Sequence, residues 1–118
     1  MKSHKDLDAW KRSVALVTNI YSITSKFPKE EIYGITNQVR RAAVSLPSNI
    51  AEGAARKNSK EFIQFLYIAL GSNAELETQI LICRNLDYLS EKVSIDILKE
   101  ISEIRNMILG LIKFMKTK

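Results

Sequence analysis

The sequence predicts an all-α fold, an antiparallel up-down-up-down four-helix bundle, on three observations. The 118-residue chain contains only four Gly and two Pro, so few positions interrupt regular structure. Apolar residues recur at alternating steps of three and four through most of its length, which is the spacing of one helix face. The connections between these periodic segments are short, so sequential helices are expected to be antiparallel neighbours. The length suits a single domain, residues 1–118, with one hydrophobic core.

In the first helix Leu7, Trp10, Val14, Val17, Tyr21 and Thr24 form one seam, closed by Phe27 and Pro28. The second carries Ile35, Val39, Ala42, Leu46, Ile50 and Ala54 in register straight through Pro47. An interior proline removes one backbone hydrogen bond and crowds the preceding turn, at a cost of about 3 kcal/mol. A restart is the alternative, because Asn49 and Glu52 have capping-box spacing. The clean four-residue step from Leu46 to Ile50 predicts one helix kinked at Pro47 instead. Asn58 and Glu61 have the spacing to open the third helix, whose seam runs Phe62, Phe65, Ala69, Leu76, Ile80 and Cys83 to about Leu86. Ser90 or Ser94 caps the fourth, with Ile97, Ile101, Ile104, Ile108, Leu111 and Met115 as its seam.

Composition narrows the function. Lys and Arg outnumber Asp and Glu by 18 to 13, a formal charge of +5 that favours anionic partners. Cys83 is the only cysteine, so no internal disulfide or paired-cysteine metal site forms, and a reducing cytoplasm is the expected location. The N-terminal MKSHKDLDAWKR lacks an apolar signal core, and no apolar run approaches the roughly 18 residues of a membrane span. A soluble chain without a membrane partner is expected. His4 is the only histidine, which removes the usual Ser-His, Cys-His, zinc and di-metal carboxylate chemistries. Neither a catalytic residue nor a metal or cofactor is expected. Cys83 reads as a packed thiol and His4 as a mobile terminal residue.

The polar residues of helix 2 and helix 3 do not fit a plain bundle so readily. Arg41, Ser45, Ser48, Glu52 and Arg56 fall on one helix face, with Arg40 and Lys57 beside them. They form either a solvated face or a contact surface. The small residues Ala42, Ala43, Ala51, Gly53, Ala54 and Ala55 allow a second backbone to come close. Asn73 occupies a seam position in helix 3, where an unpartnered amide costs on the order of 1–3 kcal/mol. A bond to the Ser48, Asn49 and Glu52 group would satisfy it, unless the seam is phased differently and Asn73 faces water. Ile63, Tyr67, Leu70, Leu81, Ile95, Leu98 and Ile112 lie off the main seams, which is apolar surface that subunits of a homo-oligomer could share.

Trp10 with Tyr21, the run FPKEEIYGITNQVRRAAVSLPSNIAEG from Phe27 to Gly53, the following Ser59 to Phe62, and GSNAEL from Gly71 to Leu76 cover nearly the whole chain. In these blocks the sequence resembles the small bacterial four-helix bundle proteins encoded by intervening sequences inside 23S ribosomal RNA genes. The resemblance implies an antiparallel bundle that assembles into a ring-like homopentamer. It also implies kinship with accessory proteins of diversity-generating retroelements, which bind nucleic acid and a reverse transcriptase. The motif positions carried over are Arg40, Arg41, Ser48, Asn49, Glu52 and Gly53, and no catalytic residue comes with them. On this reading Ser48, Asn49, Glu52, Gly53 and Asn73 are structural, with Ser48, Asn49 and Glu52 holding the kinked helix to a neighbouring helix or subunit, and Arg40, Arg41, Arg56, Lys57 and Lys60 are the candidates for phosphate contact. Two functions remain open: a nucleic-acid-binding oligomer, with RNA favoured, and a scaffold that binds a protein partner.

Overall fold

Side-chain caps begin two of the long helices. In the structure, a computed structural model describing residues 3–117, Asn58 Oδ1 accepts from the Glu61 backbone N–H at 2.9 Å and opens α3, Ser59–Asn85. Ser90, and not Ser94, caps α4, Glu91–Lys116, by accepting from Val93 N–H at 3.2 Å. A short 3-10 turn, His4–Asp6, held by a Ser3 capping box, precedes α1, Asp8–Thr24. A second such turn, Lys29–Glu31, leads into α2, Ile35–Ala54. No strand occurs among the described residues.

Each helix packs on its neighbour in sequence, and α4 closes the ring against α1, while the diagonal pairs make no close backbone approach. The contacts give the directions. Ser45 meets Ser72 near the middle of both helices, whereas Gly53, near the end of α2, meets Phe62 and Phe65 near the start of α3. Asp8 and Ala9 at the start of α1 lie beside Met107 and Leu111 of α4, and Ala15 and Asn19 further along lie beside Asp96 and Glu100, so again one helix rises as the other falls. The result is the expected up-down-up-down bundle, 46 Å long and 24 by 19 Å across.

The α4 seam is buried as expected at Ile97, Ile101, Ile104, Ile108 and Met115, with Ile112 joining the core and Leu111 partly buried. In α2 the register Val39, Ala42, Leu46 and Ile50 is buried, and the helix continues through Pro47 without a restart at Asn49. The α1 seam is phased differently. Its core-facing residues are Ala9, Ser13, Leu16, Ile20 and Thr24, while Val14 and Tyr21 are exposed and Leu7, Trp10 and Val17 only partly buried. Ser13 and Thr24 can be buried because each hydroxyl donates to the carbonyl four residues back, Ala9 at 2.6 Å and Ile20 at 2.7 Å. In α3, Leu66 takes the fully buried place expected for Phe65, which is half-buried. His4 is tethered rather than mobile, its ring meeting Trp10 edge-on at 4.9 Å.

The helices α2 and α3 come close together at Gly53. A β-carbon there would lie 2.6 Å from Phe65 Cβ and 3.0 Å from Phe62 Cδ1, inside van der Waals contact. Phe65 Cβ is fixed to the α3 backbone, so a side chain at Gly53 must push the helices apart. Gly53→Ala gains about 0.8–1 kcal/mol of helix propensity, but overpacking of this kind costs about 1–3 kcal/mol and prevails. The expected outcome is a lower urea midpoint for Gly53→Ala, measured by circular dichroism; an unchanged or higher midpoint would show that the helices separate freely here.

Candidate nucleic-acid interface

The polar motif resolves into two junctions. Asn49 Nδ2 donates to the Ser45 carbonyl at 2.8 Å and to Ser45 Oγ at 2.9 Å. Ser45 Oγ in turn shares a 2.8 Å hydrogen bond with Ser72 Oγ of α3. Asn49 therefore braces the helix beside Pro47, where the backbone ladder lacks a donor, and Ser45 carries the link across to α3. The expectation that Ser48 and Glu52 hold α2 to a neighbour is not met within one chain. Both are exposed, and Glu52 pairs with Arg56 one turn along the same helix at 3.2 Å. Position explains it: Ser45 and Asn49 border the α3 seam, while Ser48 and Glu52 lie on the outward side.

Asn73 is buried, so its place in the seam is real, but its partner is on α4 and not on α2. Its Nδ2 donates to the Ile101 carbonyl at 3.0 Å. Asn73→Asp would turn a carboxylate toward that carbonyl oxygen in a site 2% exposed. Loss of about 3 kcal/mol or more at neutral pH is expected. Burial raises the native pKa of the introduced carboxyl, so the unfolded state releases its proton first, near pH ~3.9. Stability of the variant relative to wild type then falls with rising pH from that value to the raised native pKa, and is constant above it. Urea midpoints at pH 4 and pH 7 test this; an equal deficit at both would rule out charge burial.

The candidate cations are separated. Arg56, Lys57 and Lys60 lie at the α2–α3 turn, the end to which the last turn of α4 brings Lys113 and Lys116. Arg56 is the least free of them, held by Glu52 and by its position 4.8 Å over the Phe65 ring. Arg41 is fifteen residues from Arg56 along α2, about 22 Å at the helical rise. Arg40 is half-buried: its Nε donates to Thr24 Oγ1 at 2.9 Å and its guanidinium stacks 4.5 Å over Tyr21. These partners lie sixteen and nineteen residues upstream, so no local pattern announces them. Within one chain the five cations do not form one patch.

Several other titratable groups are held within the bundle. Arg12 bonds Glu100 and Glu103, both at 2.7 Å, and clips α1 to α4. That bond holds the Glu103 carboxyl below its usual range, and the same pairing keeps Arg12 charged. Tyr88 donates to Glu31 at 2.7 Å, which raises the phenol pKa. Burial pushes the Cys83 thiol up to about 11, with Glu31 adding to the shift, so it is a packed thiol with little thiolate at neutral pH. Among the described residues no cluster of His, Cys, Asp and Glu could hold a metal ion. No helix among them is long and apolar enough to cross a membrane.

The fold is shared with a crystal structure of a protein of unknown function from the S23 ribosomal protein family of Bacteroides thetaiotaomicron. That structure superposes with a TM-score of 0.83 and 22% identity, over 89% of this chain and 95% of the other. No functionally curated protein matches the chain. The family model described as 23S rRNA-intervening sequence protein matches residues 5–110, which includes all of α1, α2 and α3 and most of α4. The chain belongs to the 23S rRNA-intervening sequence protein family.

Proposed function

We propose that the protein is a non-catalytic homo-oligomer, a pentamer by its family resemblance, that binds RNA through basic residues repeated around the assembly. The observation that carries this reading is the outward face of α3. Ile68, Gly71, Glu75, Thr78, Ile82 and Leu86 follow one another there at helical spacing, and only one of them is charged. Ile68, Ile82 and Leu86 are 51%, 42% and 49% exposed, and a β-carbon at Gly71 would meet nothing within 4 Å. A glycine in mid-helix costs about 0.5–1 kcal/mol relative to alanine, so open space above it is useful chiefly when another backbone comes there. Apolar side chains left exposed together on one helix face favour burial against another subunit.

Assembly supports the RNA reading because it repeats the separated cations. Arg41, Lys57 and Lys60 are exposed and have no acidic partner among the described residues. Copies of the two clusters around a ring would supply the continuous basic track that one chain lacks.

Assembly is tested first by sedimentation. The wild type should sediment as an oligomer of the 13.4 kDa chain, and Ile68→Glu with Ile82→Glu as a helical monomer. A monomeric wild type at micromolar concentration would remove the ring.

RNA binding is tested by anisotropy of labelled structured RNA across a salt series. The log of the affinity should fall linearly with log salt, and Arg41→Glu with Lys57→Glu and Lys60→Glu should lose binding without losing assembly. No binding even at low salt would sink the RNA reading. A partner from cell extract that survives nuclease treatment would then favour a protein scaffold.

A further inference from the structure

The corner between α1 and α2 contains an open cleft of about 300 Å³, most of whose surface is apolar, from Phe27, Pro28 and Ile32 among others, and whose polar residues are Thr24, Ser25, Lys29, Thr36 and Arg40. Arg40 is fixed there by two contacts at once. Thr24 Oγ1 donates to the Ile20 carbonyl, which leaves its lone pair to accept from Arg40 Nε, and the Tyr21 ring supports the guanidinium face. The opposite Nη1–Nη2 edge makes no ion pair with a carboxylate among the described residues. Of the acids in the adjoining turn, Glu31 is engaged by Tyr88 and Glu30 is exposed, and neither lines the cleft.

Thr36 provides a second, independent observation. It is 2% exposed, and its Oγ1 has no hydrogen-bond partner among the described residues. A buried hydroxyl without a partner is unfavourable. Threonine in a helix divides between two side-chain rotamers, so rotation about one bond can present the hydroxyl to a bound group. Lys29, exposed at the rim, adds a mobile positive charge.

A rigid guanidinium fork, a hydroxyl in need of a partner and a nearby ammonium match an anion with three or more acceptor oxygens. We propose that this cleft seats one phosphate group and, resting on the RNA reading above, that the phosphate belongs to the bound RNA. The remaining cations supply attraction without position, and the cleft fixes one point of the strand.

The test is a titration of the full chain with inorganic phosphate, followed by nitrogen-15 NMR, with chloride at matched ionic strength as control. Saturable shifts confined to Thr24, Ser25, Thr36 and the Arg40 side chain are expected. Thr36→Val, which keeps shape and removes the hydroxyl, should weaken phosphate about two- to tenfold, the range of one hydrogen bond. Arg40→Gln should abolish the saturable shifts. Unsaturated shifts spread over the surface lysines, or equal phosphate affinity in both variants, would overturn the cleft. The same proteins are then assayed with RNA. RNA binding undiminished in Arg40→Gln overturns the assignment to an RNA phosphate while the RNA reading stands. Saturable phosphate binding with no RNA binding upholds the cleft, assigns it to a free phosphate or small phosphate ester, and overturns the RNA reading.

Discussion

The distance between α2 and α3 governs what the rest of the molecule can present. At Gly53 a missing β-carbon lets the backbones come together, with Phe62 and Phe65 filling the space that a side chain would need. The same closeness lets two short side chains, Ser45 and Ser72, bond directly across the seam. Ala42, Ala43 and Pro47 of α2 are buried as well. Once α3 is committed to α2 on one flank and, through Asn73, to α4 on the other, its third side must face outward. That side carries little charge. A helix held on both flanks and still apolar on the third accounts for why the isolated bundle does not use up its hydrophobic surface.

How much of this was legible varies by helix, for physical reasons. In α4 the buried residues are isoleucines at regular spacing and nothing competes with them, so periodicity sufficed. In α2 the register through Pro47 was correct because burial of Leu46 and Ile50 outweighs the loss of one backbone bond. In α1 the apolar pattern misled by size. Trp10, Val14 and Tyr21 outweigh Ser13 on any hydrophobic count, yet Ser13 is the one buried because the Ala9 carbonyl satisfies its hydroxyl, as the Ile20 carbonyl does for Thr24, the one seam position the pattern places in the core. Asn73 was placed correctly as a buried amide and assigned the wrong neighbour, since a sequence cannot say which of two flanking helices offers a carbonyl.

The site divides in the same manner. Arg40 and Arg41 are adjacent in sequence but differ in freedom, and only the fold separates them. Arg41 projects into solvent, while Arg40 is drawn back to Thr24 and Tyr21, residues that periodicity assigned to the α1 seam. The slip in α1 phase and the unforeseen anchoring of Arg40 have one cause: Tyr21 is a support for a cation and not a core side chain. Thr36 was invisible for the opposite reason. A threonine in the first turn of a helix is unremarkable until its hydroxyl is found buried without a partner.

Mobile and fixed cations do different work on a polyanion. Lys57 and Lys60, on exposed stems, can follow phosphates in many positions and so contribute attraction that salt screens, with no preference for one register. Arg40 has already lost its rotamer freedom on folding, through its contacts with Thr24 and Tyr21, so an anion that meets it loses less entropy in binding. A surface of lysines alone would let a strand slide. One immobilised guanidinium beside an unsatisfied hydroxyl would give each chain a preferred seat, and rotational symmetry would repeat that seat at a fixed spacing around a ring. Charge would then set how strongly RNA is held, and the rigid α1–α2 corner would set where.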